Sequence, residues 1–120
     1  MKKLLYLAGP ISANPNAEER FRSAVKALES AGYAVRNPFG IDPACYFKDY
    51  VSMIKEEKDM AQLKADLIEM LYCDGVATLP LTHSSRGTAR ELALAFSLNM
   101  DVWPIGEWLK AAQRDKEGGS

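Results

Sequence analysis

Short apolar runs that stop at turn residues alternate along this chain with stretches of helical periodicity, and that alternation restricts the fold more than any other feature. Leu4-Leu5-Tyr6-Leu7-Ala8 ends at Gly9-Pro10, so residues 3–8 read as a buried strand. Phe21, Ala24, Val25 and Leu28 then recur at helical spacing, with Asn16 placed to cap that helix, Glu19 as its reciprocal partner and Gly32 to stop it. Tyr33-Ala34-Val35 reads as a second strand, followed by a proline- and glycine-bearing connection from Asn37 to Tyr46. A longer helix is expected from about Val51 to Tyr72, with Met60, Leu63, Leu67 and Leu71 on its apolar face and Asp66 at that face's edge. Gly75 to Leu79 makes a third strand, and the helix after it, Thr88 to Asn99, is apolar almost all round and is expected to be buried on most sides. Val102 and Trp103 suggest a fourth strand, and Glu107 to Gln113 a last helix.

Strands that alternate with helices imply a parallel sheet covered on both faces, with right-handed crossovers. The expected fold is therefore α/β, a three-layer Rossmann-like or flavodoxin-like domain over residues 1–113, with 114–120 as a mobile tail. Ligands of such sheets bind beyond the carboxyl ends of the strands, near the point where strand order reverses. That directs attention to the loops 9–16 and 79–87.

Charge and cysteine usage narrow the function classes. A chain of 120 residues with a formal net charge of −1 has no broad basic field, which disfavours duplex nucleic acid and leaves a small molecule as the expected partner. Cys45 and Cys73 form no CxxC or Cys/His cluster, so neither a zinc site nor a disulfide framework is expected, and both read as reduced packing residues. The opening MKKLLYLA carries an apolar run of five residues, short of the roughly 7–15 of a secretory signal. No stretch approaches the roughly 20 apolar residues of a membrane span, and the expected location is the cytoplasm.

The segment LPLTHSSRGTARE sets small and hydroxyl residues at the start of a helix, where free backbone N–H groups and the helix dipole favour an anion. Ser84 and Ser85 offer hydroxyls, Gly87 allows close backbone approach and Arg86 adds charge; equally, Ser85 or Thr88 can serve only as a helix cap. Glu91 falls in the first turns of that helix, at the margin of its apolar face. Asp66 is a second carboxylate, near the carboxyl end of its helix, where the dipole does not favour an acid. Asp59 competes with it, and Asp74 reads as a turn residue.

Tyr6-Leu7-Ala8-Gly9-Pro10-Ile11, Asp66-Leu67 ahead of Cys73-Asp74-Gly75-Val76, and Ser85-Arg86-Gly87 with Glu91 six residues after Ser85 occur in the order and spacing of one family. From Tyr6 to Val102 the chain resembles the nucleoside 2-deoxyribosyltransferase superfamily, including its nucleotide N-glycosidase branch and short phage-type members. The resemblance implies cleavage of the base–sugar bond of a nucleoside or nucleoside 5′-monophosphate, with Glu91 as nucleophile, Asp66 assisting proton transfer and Tyr6 orienting Glu91. It also implies that Gly9, Pro10, Ile11, Ser12, Ser85, Arg86 and Gly87 bind substrate or its phosphate, that no cofactor or metal is needed, and that a homodimer or larger oligomer completes the pocket.

Ser12 stands where the nucleotide hydrolases of that family carry an arginine, so phosphate charge falls to Arg86 or Arg22. His83 reads as a loop bystander. Trp103, Trp108 and Phe47 are apolar enough for a subunit surface, with packing inside one subunit the expected use of Trp103. Two alternatives stay open: a protein that binds a nucleotide without cleaving it, and a phosphoribohydrolase, whose Gly-Thr-x-x-Glu element is matched by Gly87-Thr88-Ala89-Arg90-Glu91.

Overall fold

Four strands, Leu4–Ala8 (β1), Ala34–Arg36 (β2), Gly75–Thr78 (β3) and Asp101–Pro104 (β4), form one all-parallel sheet in the order β2-β1-β3-β4. The structure, a computed structural model, describes residues 2–11, 15–80 and 86–118. Four helices complete three layers: Ala17–Ser30 (α1), Lys55–Leu71 (α2), Arg86–Ser97 (α3) and Ile105–Gly118 (α4). This is the Rossmann-like, flavodoxin-like α/β arrangement that the alternation predicts.

The central strand shows how the layers arise. Successive side chains of a strand point to opposite faces. Leu5 and Leu7 accordingly join Phe21, Ala24 and Leu28 of α1 and Trp108 of α4 in one core. Tyr6 and Ala8 face the other way, toward Ala65 and Met70 of α2 and Ala95 of α3. Because β1 is apolar on both faces it can lie mid-sheet, flanked by β2 and β3. The order reverses between β1 and β3, which opens a crevice at their carboxyl ends.

Several local expectations are revised. Asn16 sits at the N-cap of α1 but makes no side-chain capping hydrogen bond there, whereas Gly32 ends the helix as expected at φ +103°, a conformation that only glycine adopts at little cost. The second strand runs one residue later than Tyr33–Val35, because Tyr33 turns into the core, where its hydroxyl donates to the Trp108 carbonyl at 2.6 Å. Helix α2 starts at Lys55 rather than near Val51; residues 50–52 form a 3-10 turn, and Glu57 accepts from the Ile54 N–H at 3.1 Å. Its buried stripe is Ala61, Ala65, Asp66 and Met70, while Met60 and Leu71 are exposed. Small side chains at the contact let the helix lie close to the sheet, so the leucines flank the interface instead of forming its centre.

Helix α3 begins two residues before Thr88 and is less enclosed than its composition suggests: Phe96 is 61% exposed and Leu98, just beyond its end, 49%. The last helix continues to Gly118, so residues 114–118, expected to be a mobile tail, are helical. Trp108 is a core residue and not a subunit surface: its Nε1 donates to the Val76 carbonyl at 2.9 Å, and Trp103 packs against its ring at 4.2 Å between centroids. Cys73 packs as expected, with burial pushing its thiol up to about 12, but Cys45 is exposed. Asp74 ties the turn before β3 to β1: its carboxylate accepts from the Leu4 N–H at 2.7 Å and its own N–H donates to the Leu4 carbonyl at 2.7 Å. Among the described residues no helix is long and apolar enough to cross a membrane.

Candidate active site

Only three polar or charged side chains among the described residues, tyrosines aside, are buried: Asp66, Thr88 and Glu91. All three line one cavity of about 600 Å³. It lies on the α2/α3 side of the sheet, where Gly9 and Ile11 leave β1 and the first turns of α3 follow β3. Burial of a carboxylate is expensive unless hydrogen bonds or proton uptake compensate it, so two in one hollow set this place apart from an ordinary surface cleft.

Tyr6 supplies the first compensation. Its side chain is fully buried under the cavity floor, and its hydroxyl donates a hydrogen bond to Glu91 Oε2. Strand β1 fixes the tyrosine and helix α3 presents the glutamate, so the two main elements bounding the crevice meet in one contact. Desolvation and the neighbouring carboxylates push the Tyr6 hydroxyl far above its ordinary range, which keeps it a neutral donor at every working pH. Burial raises Glu91 to about 7; donation from Tyr6 works against that rise and the charge of Asp66 adds to it.

Asp66 reaches the cavity because Ala65 and Ala61, on the buried stripe of α2, allow the helix to approach. Burial raises its carboxyl to about 6, opposed by a hydrogen bond from Gln62 and assisted by the charge of Glu69. The result is two carboxyl groups that both titrate near neutrality in the same hollow. Such a pair can carry one proton between them and exchange roles during a reaction.

Gly9 must be glycine for the chain to pass here, because a Cβ would meet the Leu79 Cβ at 2.9 Å. Ile11 and Gly87 line the cavity, while Pro10 is fully buried. Ser12, Ser85 and the bystander His83, together with Ser84, lie outside the described residues, and of Arg86 only the backbone at the start of α3 is described. Arg22 is not at the site. It lies on the outer face of α1, on the other side of the sheet, 3.6 Å from Glu18.

Asp59 lies at the exposed mouth, 2.9 Å from Lys55, and is a rim residue rather than a rival of Asp66. Sequence reasoning did not single out Lys55, Glu56, Gln62 or Arg90, all of which line the cavity. For Gln62 a signal was present: it precedes Asp66 by four residues, the spacing at which helical side chains meet. Among the described residues no three His, Cys, Asp or Glu side chains are grouped to hold a metal ion. A second hollow, of about 630 Å³, lies between α1 and the start of α4 and contains none of the three buried polar residues.

Comparison with known proteins gives a family and no assigned chemistry. No curated protein matches the chain. Residues 3–103, which run from the start of β1 into β4 and contain every described cavity residue, match the family described as Domain of unknown function (DUF4406), and the chain belongs to that family.

Proposed function

We propose that this protein cleaves the N-glycosidic bond of a (2′-deoxy)nucleoside, or of a (2′-deoxy)nucleoside 5′-monophosphate, through a covalent glycosyl intermediate on Glu91. The observation that carries this reading is the pair of buried carboxyl groups, Glu91 and Asp66, facing one cavity at the carboxyl ends of the strands, with Glu91 held by Tyr6. A metal-free cleavage of this bond needs a nucleophile for an oxocarbenium-like carbon and an acid for the departing base.

The reactive form of the pair is the minor one that has Glu91 ionised and the shared proton on Asp66; in the first half-reaction this Glu91 bonds to the anomeric carbon as the carbon–nitrogen bond breaks. That electron pair leaves with the base, which takes a proton from Asp66. In the second, Asp66 accepts a proton from water as the water oxygen bonds to the same carbon, and the Glu91–carbon bond breaks to restore the carboxylate. A free base in place of water passes the sugar on, which makes the reaction a transfer. Tyr6 supports the first step because its O–H favours the ionised form of Glu91. The first turns of α3, with Gly87, would receive a 5′-phosphate.

The same reading carries a cytoplasmic homodimer or larger oligomer. Exposed Phe96 on α3 and Leu98 just beyond its end, and Ile54 and Met60 beside the cavity mouth, supply apolar surface for it. Light scattering on the purified chain measures its mass directly, and a monomer at working concentration would refute that part.

The function is tested by chromatography for free base released from a panel of nucleosides and 5′-monophosphates, AMP and deoxynucleotides included, with and without an acceptor base. Release by the wild type and its loss in Glu91→Gln is the expected outcome. Equal release by the variant would remove Glu91 as nucleophile. Tight binding of a nucleotide that stays intact would favour sequestration.

A further inference from the structure

The Gln62 amide makes two contacts that differ in sequence distance but share one atom. Its Nε2 lies 2.8 Å from Asp66 Oδ1, one turn away on α2, and 3.2 Å from the carbonyl oxygen of Ile41, in the connection after β2. Both partners accept hydrogen bonds, so the amide must present its nitrogen to them and not its oxygen; the two N–H groups are then both engaged. Ile41 is itself buried against the same core as Ala65 and Met70. The amide is therefore anchored to a second element and holds Asp66 from there.

We propose that Gln62 is a positioning residue that fixes which oxygen of Asp66 exchanges a proton with the substrate. An N–H pointed at Oδ1 favours that oxygen as the unprotonated acceptor, which biases the proton of a protonated Asp66 towards Oδ2. Asp66 lines the cavity, and Oδ2 is the oxygen that Gln62 leaves for it. The inference rests on the glycosidase reading for the use made of that proton, although the holding contact itself stands on geometry alone. Groups that face Asp66 are Tyr6 from β1, Glu91 from α3 and Glu69 on its own helix, and none of them donates to Oδ1.

Two variants separate this role from a merely structural one. Gln62→Leu removes the donor, and Gln62→Met keeps the length of the side chain while removing it without adding charge, which preserves the test if the leucine variant does not fold. The Asp66 carboxyl is followed by carbon NMR over a pH titration, assigned with Asp66→Asn, and needs no substrate. Loss of a donor to the charged form should move the Asp66 midpoint up by about one pH unit. In the base-release assay kcat should fall about tenfold while KM stays within about twofold, because the lost orientation matters in the transition state. An unchanged Asp66 midpoint in a folded variant overturns the proposal. A shifted midpoint in a protein whose wild type releases no base from any member of the panel would instead overturn the glycosidase reading and leave the Gln62 contact in place.

Discussion

Replacing Glu91 by glutamine should make the protein more stable at alkaline pH, and by an amount the site itself sets. Burial raises the Glu91 carboxyl from 4.5 to about 7, so the folded chain holds a proton that the unfolded chain has already lost. A raised carboxyl of this kind costs nothing well below pH 4.5. Its penalty grows as pH rises through the window from 4.5 to 7 and is complete above it. At about 1.4 kcal/mol per pH unit the full penalty is roughly 3 kcal/mol, of which about 2.5 develops between pH 5 and pH 8. Glutamine keeps an oxygen to accept from Tyr6 and has no charge to desolvate. Urea or thermal unfolding of both proteins at pH 5 and pH 8 should therefore show the variant gaining about 2.5 kcal/mol on the wild type over that interval, close to 10 °C in melting temperature for a chain of this size. Parallel stability–pH curves would refute the argument, since they would mean that Glu91 is not desolvated in the folded protein.

Two further changes test neighbouring contacts. Tyr6→Phe removes the donor that favours ionised Glu91, so the pH at which base release switches on should move upward and the rate at neutral pH should drop by about 10- to 100-fold, measured as a pH–rate profile against the wild type. Gly75→Ala would set a Cβ 2.8 and 2.9 Å from the Trp108 ring and 3.1 Å from the Asp101 carbonyl, and urea unfolding should show a loss of about 1–3 kcal/mol with the isolated site residues untouched.

The layer order and the central strand were readable because their physics is local. A short apolar run closed by Gly9-Pro10 has few alternatives to a buried strand, and period-2 alternation through Leu5, Tyr6 and Leu7 divides its side chains between two cores. Helix α2 was harder. Its leucines mark an apolar face, but the face that docks is the one with alanines, because how near a helix can lie to a sheet depends on what the sheet presents, and that is decided by residues far away in the chain. The same holds for the end of α4, where charge and glycine suggested fraying and the structure continues the helix.

Of the site, Tyr6, Asp66 and Glu91 could be picked out together because they fall in the motifs that carry the family resemblance; in the structure Asp66 and Glu91 line one cavity, and Tyr6 beneath it donates to Glu91. Lys55 and Arg90 fall in none of those motifs, and Gln62 is marked only by its four-residue spacing from Asp66. A polar residue on a helix is usually solvated, and only the depth of the neighbouring hollow makes it a cavity wall. Whether the serines at 12 and 85 join them lies outside the described residues.

The tyrosine hydroxyl that meets Glu91 belongs to a side chain of the inner sheet face, not to a loop. A site hung on loops can loosen while the domain stays folded, but this contact exists only while α3 is docked on β1. Occupancy of the cavity should then protect the central strand's amides from hydrogen exchange as strongly as it protects the helices, and any ligand that fits would act as a clamp on global unfolding. Evolution of a new specificity in such a frame is restricted to the rim and the loops, since the floor cannot be altered without repacking the core that holds the fold together.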